Sequence, residues 1–102
     1  MAFIRAAQST EIPSGAIHEF EVGGKAVAIA NVEGKFFAIN NVCVHRGGPL
    51  GEGELDRQIV TCPWHGWQFD VTNGQLVTNP VITTPCYAVE LRGTDVFVDV
   101  GE

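Results

Sequence analysis

Two short segments constrain this chain more than anything else in it. Cys43-Val44-His45-Arg46-Gly47-Gly48-Pro49-Leu50 and Cys62-Pro63-Trp64-His65-Gly66-Trp67 each set a cysteine one or two residues from a histidine. Thiolate and imidazole are ligands that iron and zinc both accept. A pair so close in sequence must curl round a metal, and the glycines permit the torsions that this requires. If both segments serve one centre, they are loops that meet tip to tip. The rest of the chain must then be a frame that holds them there. Zinc ligand pairs usually come as two cysteines or two histidines; here each half is mixed, C-x-H and C-x2-H. Two like halves suit a binuclear centre in which one iron takes both cysteines and the other both histidines, while a structural zinc site stays open on spacing alone.

The frame reads as all-β. Turn signals recur at Gly23-Gly24, Glu33-Gly34, Asn73-Gly74 and Arg92-Gly93-Thr94-Asp95, with short β-branched and aromatic runs between them. Ala16 to Val22 with Lys25 to Val32 forms one expected hairpin, Lys35 to Asn40 the next strand, and Cys86 to Leu91 with Asp95 to Val100 a last hairpin. No run supports a long helix. From Asn41 to about Asn73 the rhythm breaks into two loops around one candidate strand, Gln58 to Thr61, as expected of a small subdomain inserted into a β platform. At 102 residues the chain is one domain's worth, 1–102.

The spacing C-x-H, sixteen residues, C-x2-H, followed by Gly66-Trp67-Gln68-Phe69-Asp70, resembles the Rieske iron–sulfur family. That resemblance implies an antiparallel β-sheet base with a small cluster-binding subdomain, and one [2Fe–2S] cluster per chain. It implies that Cys43 and Cys62 bind the buried iron, and His45 and His65 the outer iron near solvent. The quinol-oxidising branch of the family has an extra cysteine in each loop, joined as a disulfide, and serine and tyrosine hydroxyls near the cluster sulfurs. This chain has Gly48 and Trp64 at the first two positions and Trp67 and Phe69 at the others. It is more similar to the soluble Rieske ferredoxins that serve bacterial ring-hydroxylating oxygenases.

The resemblance therefore implies an electron carrier, not an enzyme, with two transient partners: an NAD(P)H-dependent flavin reductase and a terminal oxygenase. A small Rieske subunit of a multi-subunit reductase, such as assimilatory nitrite reductase, is the alternative. An oxygenase in its own right fails on counting, because mononuclear iron needs two more histidines and a carboxylate and only His18 is left of the three histidines. Twelve acidic residues against six Lys and Arg give a net charge of −6, which repels nucleic acid and anionic lipid and favours a basic partner face. No run approaches the ~18 apolar residues of a membrane span, and the start carries no signal peptide pattern, so a cytoplasmic monomer is expected.

Other residues carry smaller expectations. Trp64 braces its loop, covers the cluster or faces a partner. Trp67 belongs to the core, and Arg46 lies beside a ligand where a partner's carboxylate could reach it. His18 is a surface residue and Cys86 a buried, inert thiol. Asn79 to Pro85, with a proline near each end, is expected to be the stiff loop that covers the cluster in the family it resembles, or else a plain connector.

Overall fold

The structure, a computed structural model, describes residues 3–43, 48–64 and 66–100. His45, His65 and Arg46 lie outside the described residues.

Among the described residues there are eleven strands and two three-residue 3₁₀ turns. The larger sheet holds β1 (Ile4–Gln8), β2 (Ile17–Val22), β3 (Lys25–Val32), β4 (Lys35–Asn40), β10 (Cys86–Arg92) and β11 (Asp95–Asp99) in the order β1-β11-β10-β4-β3-β2. The smaller holds β5 (Glu54–Asp56), β6 (Ile59–Thr61), β7 (Gln68–Asp70), β8 (Gln75–Leu76) and β9 (Asn79–Thr83) in sequence order. Every pairing is antiparallel. The expected all-β class and the three expected hairpin strands through Asn40 are present, while β1 has no counterpart in the sequence reading. The inserted region is a five-stranded sheet instead of two loops round one strand, and it runs past residue 73 to Thr83.

Strand β3 explains how the molecule is layered. Successive side chains on a strand point to opposite faces. Ala28 and Ala30 pack with Ile39, Leu50, Val60 and Phe69 on the side of the small sheet; Val27 and Ile29 pack with Ile12, Val96 and Val98 on the other. Both faces of β3 are therefore buried, so the strand lacks the polar alternation of a one-sided sheet. At its end, Glu33 and Gly34 take φ of +53° and +92°, the two left-handed residues of a tight hairpin turn. The buried Asn31 ties that turn down, accepting the Gly34 N–H at 2.8 Å and donating to the Ile12 carbonyl at 2.7 Å.

Asn79 to Thr83 is the edge strand of the small sheet and not a loop. Pro80 is at home there because an edge strand leaves one row of N–H groups unpaired. The Val81 N–H is taken by the Asn79 side chain at 3.3 Å, so that donor is not open to another strand. Cys86 corrects another expectation. It is exposed, since β10 turns Tyr87 and Val89 to the core and Cys86, Ala88 and Glu90 to the other face. Partial burial of the sulfur and the nearby Asp70 carboxylate both push its thiol pKa up. His18 is at the surface, as expected.

Candidate metal centre

The first cysteine loop grows directly out of β4. The Asn41 N–H donates to the Ala26 carbonyl at 3.0 Å, and its own carbonyl accepts the Leu50 N–H at 2.7 Å. Its buried side-chain oxygen accepts the Gly51 N–H at 2.6 Å. Val42 then bridges Pro49, and the Cys43 N–H closes the loop on the Gly48 carbonyl at 2.9 Å. Gly51 seats this loop on β2. A Cβ there would lie 2.6 Å from the Glu19 backbone nitrogen and 2.7 Å from Asn41 Oδ1, so the packing leaves no room for any side chain.

The second loop joins β6 to β7 and is built the same way. The Cys62 N–H donates to the Trp67 carbonyl at 2.7 Å, just beyond the Thr61 to Gln68 pair of the ladder. Gly66, at φ +76°, returns its N–H to the Cys62 carbonyl at 3.1 Å. In both loops the cysteine amide donates to the carbonyl of the residue five positions on, so each thiol stands at the base of a short closed loop.

These two loops meet. Cys43 and Cys62 are 2% and 3% exposed and share one core with Leu50, Val60 and Phe69. Neither is in a disulfide. Gly48 of the first loop lies against the Cys62 sulfur and Trp64 of the second. Around them the surface is apolar and acidic: Val42 and Trp64 are 47% and 57% exposed. A cavity of about 380 Å³ beside Cys62 is lined by Glu52, Gly53, Glu54, Thr61, Pro63 and Gly66. Trp67 is half-buried, its ring 6.5 Å from that of Phe69 and packed on the core.

Two buried thiols brought to one end of the frame, without a disulfide, are a soft donor pair that suits iron or zinc. Among the described residues no group of three or more ligating side chains forms, since both histidines of the motif lie outside them. The residues present fit the inner half of a cluster that takes two cysteines on one iron.

A family model described as "Rieske [2Fe-2S] domain" matches residues 2–91. The chain belongs to that family. Its sequence is 34% identical over 91 residues to the ferredoxin component of the naphthalene 1,2-dioxygenase system of Pseudomonas aeruginosa, covering 88% of each chain. Among solved structures, the ferredoxin of carbazole 1,9a-dioxygenase from Nocardioides aromaticivorans IC177 superposes with a TM-score of 0.88 at 27% identity, covering 96% of this chain and 97% of that one. A ferredoxin–oxygenase complex of carbazole 1,9a-dioxygenase contains a chain that matches with a TM-score of 0.84 at 28% identity, over 94% of this chain and 91% of that one. This Rieske protein is accordingly of the ferredoxin type, an electron-transfer protein with a [2Fe–2S] cluster and not itself an enzyme. Among the described residues no helix is long and apolar enough to cross a membrane.

The sequence pattern finds the cysteines but not what holds them. Asn41 and Gly51 fix the first loop, and no motif marks them. Gly48 is marked by the family comparison as the place of an absent disulfide cysteine, but its contact with both cysteine residues is not.

Proposed function

We propose that this chain is the ferredoxin component of a ring-hydroxylating dioxygenase system, taking electrons one at a time from an NAD(P)H-dependent flavin reductase and delivering them to a terminal oxygenase. In this reading Cys43 and Cys62 hold the inner iron, and His45 and His65 hold the outer iron at the surface where partners approach. When bound, the cluster supplies a one-electron couple whose potential histidine ligation raises above that of an all-cysteine [2Fe–2S] centre. The chain's part is to hold its thiolates in a dry, closed frame and to present the loop tips. The observation that carries this reading is the pair of like-built loops that bring two buried thiols together, in a chain that matches ferredoxins of dioxygenase systems over most of their length.

The acidic balance of −6, with Glu52 and Glu54 beside Cys62, favours basic partner faces and brief, salt-sensitive encounters. Those relatives do not favour the alternative of a subunit bound into a multi-subunit reductase. We take the working form to be a cytoplasmic monomer of one domain. The test is an electron paramagnetic resonance spectrum of the dithionite-reduced protein, with iron and acid-labile sulfide counted per chain. A Rieske signal lost in each of Cys43→Ser, His45→Ala, Cys62→Ser and His65→Ala is expected. A colourless protein with stoichiometric zinc would end the reading.

A further inference from the structure

Gly48 stands between the two cysteines. Its carbonyl accepts the Cys43 N–H at 2.9 Å. A Cβ built on it would lie 2.7 Å from Cys62 Sγ, 3.0 Å from Trp64 Cγ and 3.2 Å from Trp64 Cβ. Space alone therefore excludes a side chain at this position. The volume that a side chain at 48 requires is already filled by the root of Trp64 and by the Cys62 sulfur, and packed interiors do not yield such volume freely. Trp64 divides accordingly: its Cβ and Cγ press on the first loop while much of the side chain faces water.

We propose that Gly48 and Trp64 are a fitted pair that fixes the spacing of the two cysteine loops and keeps water from the Cys62 sulfur, making both positioning residues for the cluster. The idea rests on the ligand assignment proposed above. These are the two positions at which the quinol-oxidising branch ties its loops with a disulfide; here packing ties them. The shield has a sign. With two thiolates and two neutral imidazoles, the oxidised centre is near zero charge and the reduced one carries −1. Excluding water disfavours the charged form, so the pair holds the midpoint down.

The experiment compares holo wild type with Gly48→Ala, Trp64→Ala, the double variant and Cys62→Ser. Three quantities are read: iron and sulfide content, the rate at which visible absorbance is lost to a chelator, and the midpoint by redox titration. Gly48→Ala is expected to lose its cluster on the order of tenfold faster, the scale of a methyl forced into closed packing. Trp64→Ala is expected to raise the midpoint. In the double variant the space left by the indole lets the first loop relax, so the rate recovers toward that of Trp64→Ala. A wild-type rate in Gly48→Ala, a double variant whose rate is the product of the single effects, or a midpoint unmoved or lowered in Trp64→Ala overturns the fitted pair. If Gly48→Ala does not assemble at all, assembly restored in the double variant supports the pairing and failure there overturns it. Cys62→Ser separates the two readings: a native spectrum in that variant removes the ligand assignment. Loss of the cluster there, with no response at 48 and 64, removes only the pairing.

Discussion

Phe69→Tyr adds one oxygen to a ring that is 0% exposed and packed in the same core as Cys43 and Cys62. No solvent can satisfy a hydroxyl at that depth. It either finds a cluster or cysteine sulfur, as the tyrosine of the quinol-oxidising branch at this position suggests, or it stays unpaired at a cost of about 1–3 kcal/mol. The wild-type starting point follows from which donors are already spent. The Cys43 and Cys62 amides both donate to carbonyls within their own loops, so neither is available to a sulfur, and Trp67 and Phe69 carry no hydroxyl. Each hydroxyl donor missing at these two positions lowers the potential. The wild-type midpoint should fall below zero at pH 7, within a family range of roughly −150 to +300 mV, and change little with pH near neutrality.

A hydrogen bond to a cluster sulfur is stronger in the electron-rich reduced state. If the new one is worth ~1–1.5 kcal/mol of differential stabilisation, and one electron converts ~1.4 kcal/mol to about 59 mV, Phe69→Tyr should raise the midpoint by roughly 40–65 mV. Spectroelectrochemical titration measures it, and thermal unfolding supplies the control. A midpoint within error of wild type, together with a fall in melting temperature of several degrees, would refute the argument, because the hydroxyl would then be buried without reaching the cluster.

Gly53→Ala should destabilise the fold by about 2–3 kcal/mol or prevent assembly of the small sheet, since its Cβ would collide with the Thr61 carbonyl one residue before Cys62; urea unfolding reads the difference. Asp70 offers a pH test. Burial alone would raise its pKa, but hydrogen bonds from the Thr72 side chain, the Thr72 amide and Gln58 outweigh it and hold the carboxyl below its usual value. A lowered folded pKa contributes stability that is present above the unfolded value of ~3.9 and is lost as pH falls through the folded one. Asp70→Asn should therefore be less stable than wild type at pH 7, with the gap closing below about pH 4; a gap that is flat from pH 7 to 3 would assign the difference to something other than ionisation. Cysteines at both 48 and 64 should join in air, because a Cβ at 48 lies 3.2 Å from Trp64 Cβ, near the ~3.5–4.5 Å of a disulfide. A free dithiol by mass spectrometry would place the loops further apart.

What was legible in the sequence depended on the length of each element. Lys35–Asn40 and the hairpins of β2 with β3 and β10 with β11 could be read because several residues alternate between glycine-bearing turns. The small sheet could not, since Glu54–Asp56, Gln68–Asp70 and Gln75–Leu76 are too short to show a period and owe their existence to pairing with neighbours. Strand β9 reads as a loop because Pro80 excludes an interior strand, whereas an edge strand tolerates it. For Cys86 residue type and strand parity point in opposite directions. Glu90 fixes the outward face of β10, and period two puts Ala88 and Cys86 on that face with it, so parity along the strand outweighs the usual burial of a thiol. For the cysteine loops the division is sharper. Ligand chemistry and spacing name the residues that hold a metal, because coordination is local. The fit of Gly48 against Trp64 and Cys62 crosses between loops that are distant in sequence, and only the closed frame of β4, β6 and β7 brings those atoms within contact.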